Sequence, residues 1–216
     1  MSASAHRRLH NPAYLVGHWP LQGHAQDVSG YGNHGTWSGT AAYATGPYNG
    51  KTVGSFNGAS RIALGTVPGF AGGFSGFTAA IWNKPTSSVA GVQRLLTREF
   101  GYTIYNFDGL LTCHVYKTPG GTNNRWAISS IPGFVPNVWS NCAMTFDGTT
   151  LIVYLNGVFY TSQTVSTTEA GAQTGDFIGS NATGSQRFTG QTHNARLYNI
   201  ALTGDEIFSL YEYDTR

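Results

Sequence analysis

A glycine-rich loop near the start of the chain holds the residues best suited to bind a metal ion. The segment Asp27–Thr36 reads DVSGYGNHGT, in which Asp27, Ser29 and Asn33 supply side-chain oxygen atoms. The glycines between them allow sharp turns that can point backbone carbonyl groups inward. Because Ca²⁺ takes about six to eight oxygen ligands, the loop is a candidate calcium site. The alternative is a loop closed by hydrogen bonds alone, such as an Asx-turn at Asp27.

Aromatic side chains in or beside turn-rich segments form a second candidate site, for carbohydrate. Sugar-binding proteins stack aromatic rings on sugar faces and use a few polar groups for orientation. The candidate ligand-binding residues are Trp37, Tyr43, Tyr48, Asn124, Arg125 and Trp126. The last three follow a Pro-Gly-Gly turn and would form an aromatic and amide cluster at the edge of a loop. Packing between subunits is the competing interpretation of that cluster.

The acidic residues do not form the pair that a glycan hydrolase requires. Such enzymes place two carboxylates on either side of the scissile bond. The nearest approach is Glu212-Tyr213-Asp214, which follows the last predicted helix instead of lying along a strand. The sequence also lacks a nucleophile elbow, a phosphate-binding loop and an HExxH segment. We therefore expect this protein not to be an enzyme.

Many short strands must position these candidate sites. Strand-like segments separated by Gly, Pro, Asn or Asp predict antiparallel sheets instead of alternating strands and helices. The predicted strands lie near residues 15–20, 51–56, 60–64, 74–83, 92–97, 101–106, 110–116, 125–130, 137–146, 150–155, 158–164, 175–179 and 187–198.

The segment Trp139–Gly157, WSNCAMTFDGTTLIVYLNG, predicts two neighbouring strands and both of their turns. Cys142, Met144 and Phe146 fall on one face, which is the alternation of a half-buried strand. The dipeptide Asn156-Gly157 suits the two positive φ angles of a type I′ hairpin turn.

This hairpin resembles the W-x-x-x-A-x-T-F-D-G…Y-x-N-G pattern of laminin G-like domains in the concanavalin A-like superfamily. Three other parts of the chain occur in the family's order: LVGHWPL with DVSGYGNHGT, then FNGASRIAL with FSGFTAAIWNKP, then FTGQTHNARLYNIALTGDEI. Together they extend from Leu15 to Tyr211. The resemblance implies an all-β, two-sheet antiparallel jelly-roll sandwich with Trp19, Trp82 and Trp139 in or near its core.

The resemblance also implies a partner for the Asp27 loop. In laminin G-like domains an ion or a hydrogen-bond network ties this loop to an acid on the last long strand, in the pattern G-x-I-D-x-V-R-I-Y. This chain has GQTHNARLY, so His193 stands where the acid is expected. Imidazole suits zinc and other transition metals better than calcium, and His24 and His34 lie in or beside the loop. The candidate metal ligands are Asp27, Ser29, Asn33 and His193, with calcium, a transition metal and hydrogen bonds alone as the three alternatives.

One short C-terminal helix is predicted. Thr203-Gly204-Asp205-Glu206 is a capping box, in which Thr203 accepts the backbone N–H of Glu206 and Glu206 reaches back to the cap. Ile207, Leu210 and Tyr211 then share one face. We expect this helix to cover an edge or an open end of the sandwich.

Composition excludes several classes of protein. Charged residues make up 10% of the chain and the net charge is +2, so nothing indicates a nucleic-acid surface. No run approaches the roughly 20 apolar residues of a membrane-spanning helix. The two cysteines, Cys113 and Cys142, lie in different predicted strands. Buried thiols are the favoured interpretation, because free cysteine is often fully buried, and a disulfide is the alternative.

Residues 1–13 form a polar arm ahead of the laminin G-like domain, residues 14–216. Its start lacks the apolar segment of a secretory signal, so ordinary export is disfavoured. We expect the arm to dock on virion proteins or sister subunits through Arg7 and Arg8, in a homo-oligomer or larger assembly. The favoured hypothesis is a virion surface component, either a phage capsid decoration or a tail protein, that touches glycans. The alternative is a free-standing extracellular lectin-like module that binds carbohydrate or protein, with or without calcium.

Overall fold

The computed structural model describes residues 9–11, 13–48, 50–67, 76–87, 91–116, 125–165 and 175–216, with Arg125 described by its backbone alone. The strands are β1 Leu15–Trp19, β2 Thr36–Ser38, β3 Tyr43–Thr45, β4 Thr52–Asn57, β5 Arg61–Gly65, β6 Phe77–Pro85, β7 Val92–Arg98, β8 Tyr102–Phe107, β9 Leu110–Tyr116, β10 Arg125–Ile131, β11 Ser140–Phe146, β12 Thr150–Leu155, β13 Val158–Thr164, β14 Asp176–Ile178 and β15 Thr189–Tyr198. One helix, α1 Gly204–Asp214, follows. All thirteen predicted strands are present, β9, β12 and β13 with the predicted ends and the others with shifted ends, and β2 and β3 are additional.

Two antiparallel sheets form a sandwich, as the sequence predicts. In the described residues the larger sheet has the order β13-β12-β11-β6-β15-β4-β3, and β1 also pairs with β15. The smaller sheet has the order β10-β9-β8-β7-β14-β5-β2. The long strand β15 is therefore central, with β6 along one side and both β1 and β4 along the other.

The core between the sheets confirms the predicted alternation along β11. Cys142, Met144 and Phe146 are fully buried in this core. The hairpin turn is also confirmed, since Asn156 and Gly157 have φ angles of 51° and 78°. The strand is not half-buried, however, because every residue of β11 is buried. Its outer face is covered as well as its inner one.

The helix α1 provides that cover. Ile207 and Leu210 pack with Ala80, Ala143 and Tyr198 on the outer face of the larger sheet. The capping box at Thr203 is confirmed in both directions. The expectation that the helix covers an edge or an open end is wrong, because its apolar face lies against a sheet face. No helix in the described part of the chain is long and apolar enough to cross a membrane.

The described end of the predicted arm packs on the same outer face. Leu9 is fully buried, and its carbonyl oxygen accepts a hydrogen bond of 3.2 Å from the hydroxyl of Tyr198. The carbonyl oxygen of Ala13 accepts another, of 3.1 Å, from the side chain of Asn199. These contacts attach Leu9 and Ala13 to the sandwich itself. Arg7 and Arg8 lie outside the described residues, so their docking role stays a prediction.

Candidate functional site

The carboxylate of Asp27 closes its loop with four hydrogen bonds. Its Oδ1 atom accepts from the backbone N–H groups of His18 and Ser29, both at 2.9 Å. Its Oδ2 atom accepts from the Ser29 hydroxyl at 2.9 Å and from the Asn33 N–H at 3.0 Å. The contact to the Ser29 N–H is the Asx-turn that the hydrogen-bonded alternative predicts. The carboxylate is thus surrounded by donors.

Asn33 ties the same loop to β1. The side-chain amide of Asn33 donates to the backbone carbonyl of Val16 at 3.0 Å, and the backbone carbonyl of Asn33 accepts from the indole N–H of Trp19 at 2.8 Å. The described residues contain no group of three or more His, Cys, Asp or Glu side chains that could hold a metal ion. A single carboxylate encircled by N–H and O–H donors does not fit Ca²⁺, which requires inward-facing oxygens. The predicted calcium site stays a prediction, while the hydrogen bonds of the alternative are present.

His193 lies in a different environment from the loop. Its ring is stacked on Trp82, with centroids 5.4 Å apart and an interplanar angle of 15°, and it meets the edge of Trp139 at 4.9 Å. Trp82 is buried on the outer face of the larger sheet, since its neighbours Ala79 and Ile81 face the inter-sheet core. The structure therefore brings Asp27, Ser29 and Asn33 together and places His193 among aromatic rings.

A polar cavity of about 250 Å³ opens beside His193. It lies where β1 ends and β4 begins along the same side of β15, since Trp19 pairs with Ala195 and Gly54 pairs with Thr192. Its walls come from four parts of the chain and include His18, Tyr48, Lys51, His193, Asn194 and Asp214.

A β-bulge in β15 supplies one wall of this cavity. His193 pairs with Trp82 and Arg196 with Ala80, so β15 has one residue more than β6 between these pairs. Asn194 takes a positive φ of 47° at the bulge. The extra residue lets His193, Asn194 and Arg196 all line the cavity, while Ala195 packs in the inter-sheet core.

The helix α1 supplies the cavity's carboxylate. The carboxylate of Asp214 accepts hydrogen bonds from both terminal nitrogens of the Arg196 guanidinium at 2.7 Å and from the indole N–H of Trp82 at 2.8 Å. Tyr211 of the same helix is stacked on Trp82 at 5.4 Å. The acid beside the last long strand therefore comes from the helix and binds an arginine, whereas the resemblance implies an acid on the strand itself that partners the Asp27 loop.

The two histidines of the cavity are held neutral. Burial lowers the pKa of His193 to about 4, with Arg196 and Lys51 acting in the same direction and Asp214 opposing them. Burial and Arg196 also lower the pKa of His18 well below its ordinary value, against the effect of its 3.2 Å hydrogen bond with Asn194 Oδ1. The Nε2 atom of His193 is buried and has no hydrogen-bond partner among the described residues.

The predicted sugar-binding residues are not one cluster. Trp37 and Tyr43 lie in β2 and β3 and join the two sheets through a 2.9 Å hydrogen bond from the Trp37 indole to the Tyr43 hydroxyl. Trp37 also packs on Phe56 at 4.9 Å. Trp126 is partly buried against the inter-sheet core from β10, in the smaller sheet. Tyr48 alone reaches the cavity.

Two of the predicted residues cannot be placed in this way. Asn124 lies outside the described residues, and the side chain of Arg125 is not described. Sequence reasoning missed His18, Lys51, Asn194, Arg196 and Asp214 as cavity residues. One signal was present, since the successive polar residues His193-Asn194 interrupt the alternation of β15 and mark the bulge.

A two-sheet jelly-roll sandwich with a polar cavity on one outer face is the class of protein that these observations define. A laminin G-like family model, described as the concanavalin A-like lectin/glucanases superfamily, matches residues 56–208. The chain belongs to this superfamily, as its sequence pattern indicates. No curated protein sequence matches the chain.

Solved structures share the fold at low sequence identity. Domain 4 of AbnA, an extracellular arabinanase of Geobacillus stearothermophilus solved with arabinotriose, is 22% identical with a TM-score of 0.71, covering 91% of this chain and 98% of that one. The binding domain of Paraclostridial Mosquitocidal Protein 1 is 15% identical with a TM-score of 0.74, covering 94% and 53%. The binding domain of botulinum neurotoxin DC, solved with SialylT, is 11% identical with a TM-score of 0.72, covering 94% and 52%. This chain thus corresponds to about half of each toxin binding domain.

Proposed function

We propose that this protein is a non-catalytic module that binds glycan in the cavity beside β15. The observation that carries this proposal is the cavity itself, in which the ring of Tyr48 lies beside the hydrogen-bonding side chains of His193 and Asn194. Neutral side chains of this kind exchange hydrogen bonds with the hydroxyl groups of a sugar ring. The Tyr48 ring and the polar side chains around it are the combination that carbohydrate sites use.

The size of the cavity suits one sugar ring of a larger glycan. Its volume of about 250 Å³ is just below the range of roughly 300–1,000 Å³ that holds drug-sized ligands. Asn194 and Gln22 at its walls offer amide groups, which can both donate to and accept from hydroxyl groups.

The side chains of the cavity do not suit glycoside hydrolysis. The described lining contains one carboxylate, Asp214, and glycoside hydrolysis by the common routes needs two. Both oxygens of Asp214 already accept hydrogen bonds from Arg196. Asp214 therefore acts as a structural anion in this scheme.

The neighbouring structures support a binding role and an extracellular or surface location. The arabinanase domain was solved with arabinotriose and the toxin domain with SialylT, so this sandwich occurs in proteins that bind glycans. Their own ligands guide the choice of probes.

A glycan array followed by isothermal titration calorimetry tests the proposal. The array should include arabino-oligosaccharides and sialylated glycans, and the best binder is then titrated against the wild type, His193→Phe and Tyr48→Ala. His193→Phe keeps a ring on Trp82 and removes the nitrogens, so we expect about a tenfold loss of affinity. His24→Phe, at an exposed histidine outside the cavity, is the matched control. Wild-type binding that both cavity variants retain would place the glycan elsewhere.

Assembly with sister subunits, which the virion hypothesis requires, is the second candidate function, and an exposed strand edge favours it. β13 is the outermost strand of the larger sheet, and its residues Val158, Phe159 and Tyr160 are 61%, 58% and 40% exposed. Consecutive exposed apolar residues on an edge strand are a ready surface for a sister subunit. Sedimentation velocity of the wild type and Phe159→Lys tests this: the wild type should be oligomeric and the variant monomeric. Monomeric wild-type protein would contradict self-assembly through this edge.

A further inference from the structure

The cavity carries more positive than negative charge. Its charged lining residues are Lys51, Arg196, Arg216 and Asp214. The bidentate ion pair between Arg196 and Asp214 neutralises both members. Lys51 and Arg216 are exposed and make no ion pair within the described residues. Two cations at the mouth therefore remain for a ligand.

The interior of the cavity offers hydrogen bonds instead of further charge. Burial keeps His18 and His193 neutral near pH 7, so neither adds a positive charge. The side chains of Gln22, His193 and Asn194 line this interior and can exchange hydrogen bonds with hydroxyl groups. A ligand that matches both regions has one negative group, placed near the mouth, and hydroxyl groups that reach inward. A compact multiply charged anion would leave the neutral interior unused.

We infer that the cavity selects an acidic sugar, one whose ring carries a carboxylate. This rests on the proposed function and adds the class of sugar. Lys51 supplies a charge-assisted hydrogen bond to the carboxylate, and His193 hydrogen-bonds a ring hydroxyl. Arg216 adds to the potential that attracts the anion. Since Lys51 and Tyr48 both belong to the segment between β3 and β4, the same turn would present the cation and the aromatic ring.

A matched pair of ligands tests this inference. Trigalacturonic acid and the corresponding neutral galactose trisaccharide differ in having carboxylates or hydroxymethyl groups on otherwise identical rings. In calorimetry at low ionic strength we expect the acidic ligand to bind at least about tenfold more tightly, because hydrogen bonds to charged groups are about twice as strong as neutral ones. Its affinity should fall as NaCl is added, while that of the neutral ligand should not change.

Two lysine variants locate the effect. Lys51→Met keeps most of the side-chain length and removes the charge, so it should abolish the preference for the acidic ligand and retain binding of the neutral one. Lys84→Met, on β6 of the same sheet but outside the cavity, should keep the preference. Both ligands should change the chemical shifts of the backbone amides around His193, and shifts that change elsewhere would contradict binding in this cavity.

The outcomes separate the two proposals. Equal affinities for the two ligands would overturn the acidic preference and leave glycan binding intact. Binding of neither ligand, together with a negative glycan array, would overturn glycan binding itself. A preference that survives Lys51→Met would show that another cation selects the ligand, which contradicts the role given to Lys51.

Discussion

Arg196 and Asp214 form a buried bidentate ion pair, with both nitrogen–oxygen distances at 2.7 Å, between β15 and the C-terminal end of α1. The pair joins the last long strand to the last helix. Trp82 adds a third hydrogen bond to the same carboxylate from β6. Arg196 and Asp214 both line the cavity, so its shape depends on the helix remaining docked.

Removing the charge of Asp214 should strongly destabilise the protein. In Asp214→Asn the buried guanidinium of Arg196 loses its counter-ion, and breaking one side of a buried pair costs about 3–5 kcal/mol. Urea unfolding followed by tryptophan fluorescence measures this change. Asp205→Asn is the control, because Asp205 lies exposed in the first turn of the same helix. If Asp214→Asn lowered the free energy of unfolding no more than Asp205→Asn, the ion pair would not be what holds the helix on the sheet.

The sandwich could be predicted because its signals are local. Cys142, Met144 and Phe146 alternate along β11, and Asn156-Gly157 defines its turn, so each strand and hairpin is specified by a few neighbouring residues. The capping box at Thr203 is equally local. The two missed strands, β2 and β3, have three residues each and none of them is buried, whereas the equally short β14 is fully buried, so no apolar pattern marks the missed strands.

The cavity could not be predicted because its residues meet only through long-range pairing. His18 and Asn194 are 176 residues apart, and they approach because β1 pairs with β15. Asp214 reaches Arg196 because α1 folds back over the larger sheet, where the sequence indicated only an amphipathic helix. Register and strand order, which no local pattern encodes, determine these contacts.

Calcium should leave the stability of the protein unchanged. The four hydrogen-bond donors around Asp27 already occupy both of its carboxylate oxygens, which a calcium ion would need as ligands. Differential scanning calorimetry with millimolar CaCl₂ or with EDTA should therefore give the same Tm. Asp27→Ala should lower the free energy of unfolding by about 2–4 kcal/mol, because it strands several N–H donors. A Tm that rises with calcium in the wild type and not in Asp27→Asn would instead establish the calcium site.

The two cysteines should be thiols that react only after unfolding. Cys113 in β9 and Cys142 in β11 are fully buried between the sheets, with their Sγ atoms 3.6 Å apart. Hydrogen bonding to Cys142 and burial raise the pKa of Cys113 well above its ordinary value, which disfavours the reactive thiolate. Mass spectrometry after iodoacetamide should show no label on the native protein and two labels in urea without reductant. Labelling in urea that requires prior reduction would reveal a disulfide.

Acid should destabilise the protein partly through His193. Its pKa is about 4 in the folded state and near 6.5 in the unfolded chain. Between these values the unfolded state binds more protons, so the free energy of unfolding falls as pH falls from about 6.5 to 4, by up to about 3 kcal/mol. His18 acts in the same direction.

Substitution of the histidine isolates its share of this pH dependence. His193→Gln has no proton to take up at this position, although Asp214, Arg196 and Lys51 still surround it. Urea unfolding at several pH values between about 4 and 7.5 should therefore give a shallower decline for His193→Gln than for the wild type. His24→Gln, at an exposed site, should retain the wild-type slope. Parallel curves for His193→Gln and the wild type would mean that His193 titrates alike in both states, and hence that it is not held neutral by burial in the cavity wall.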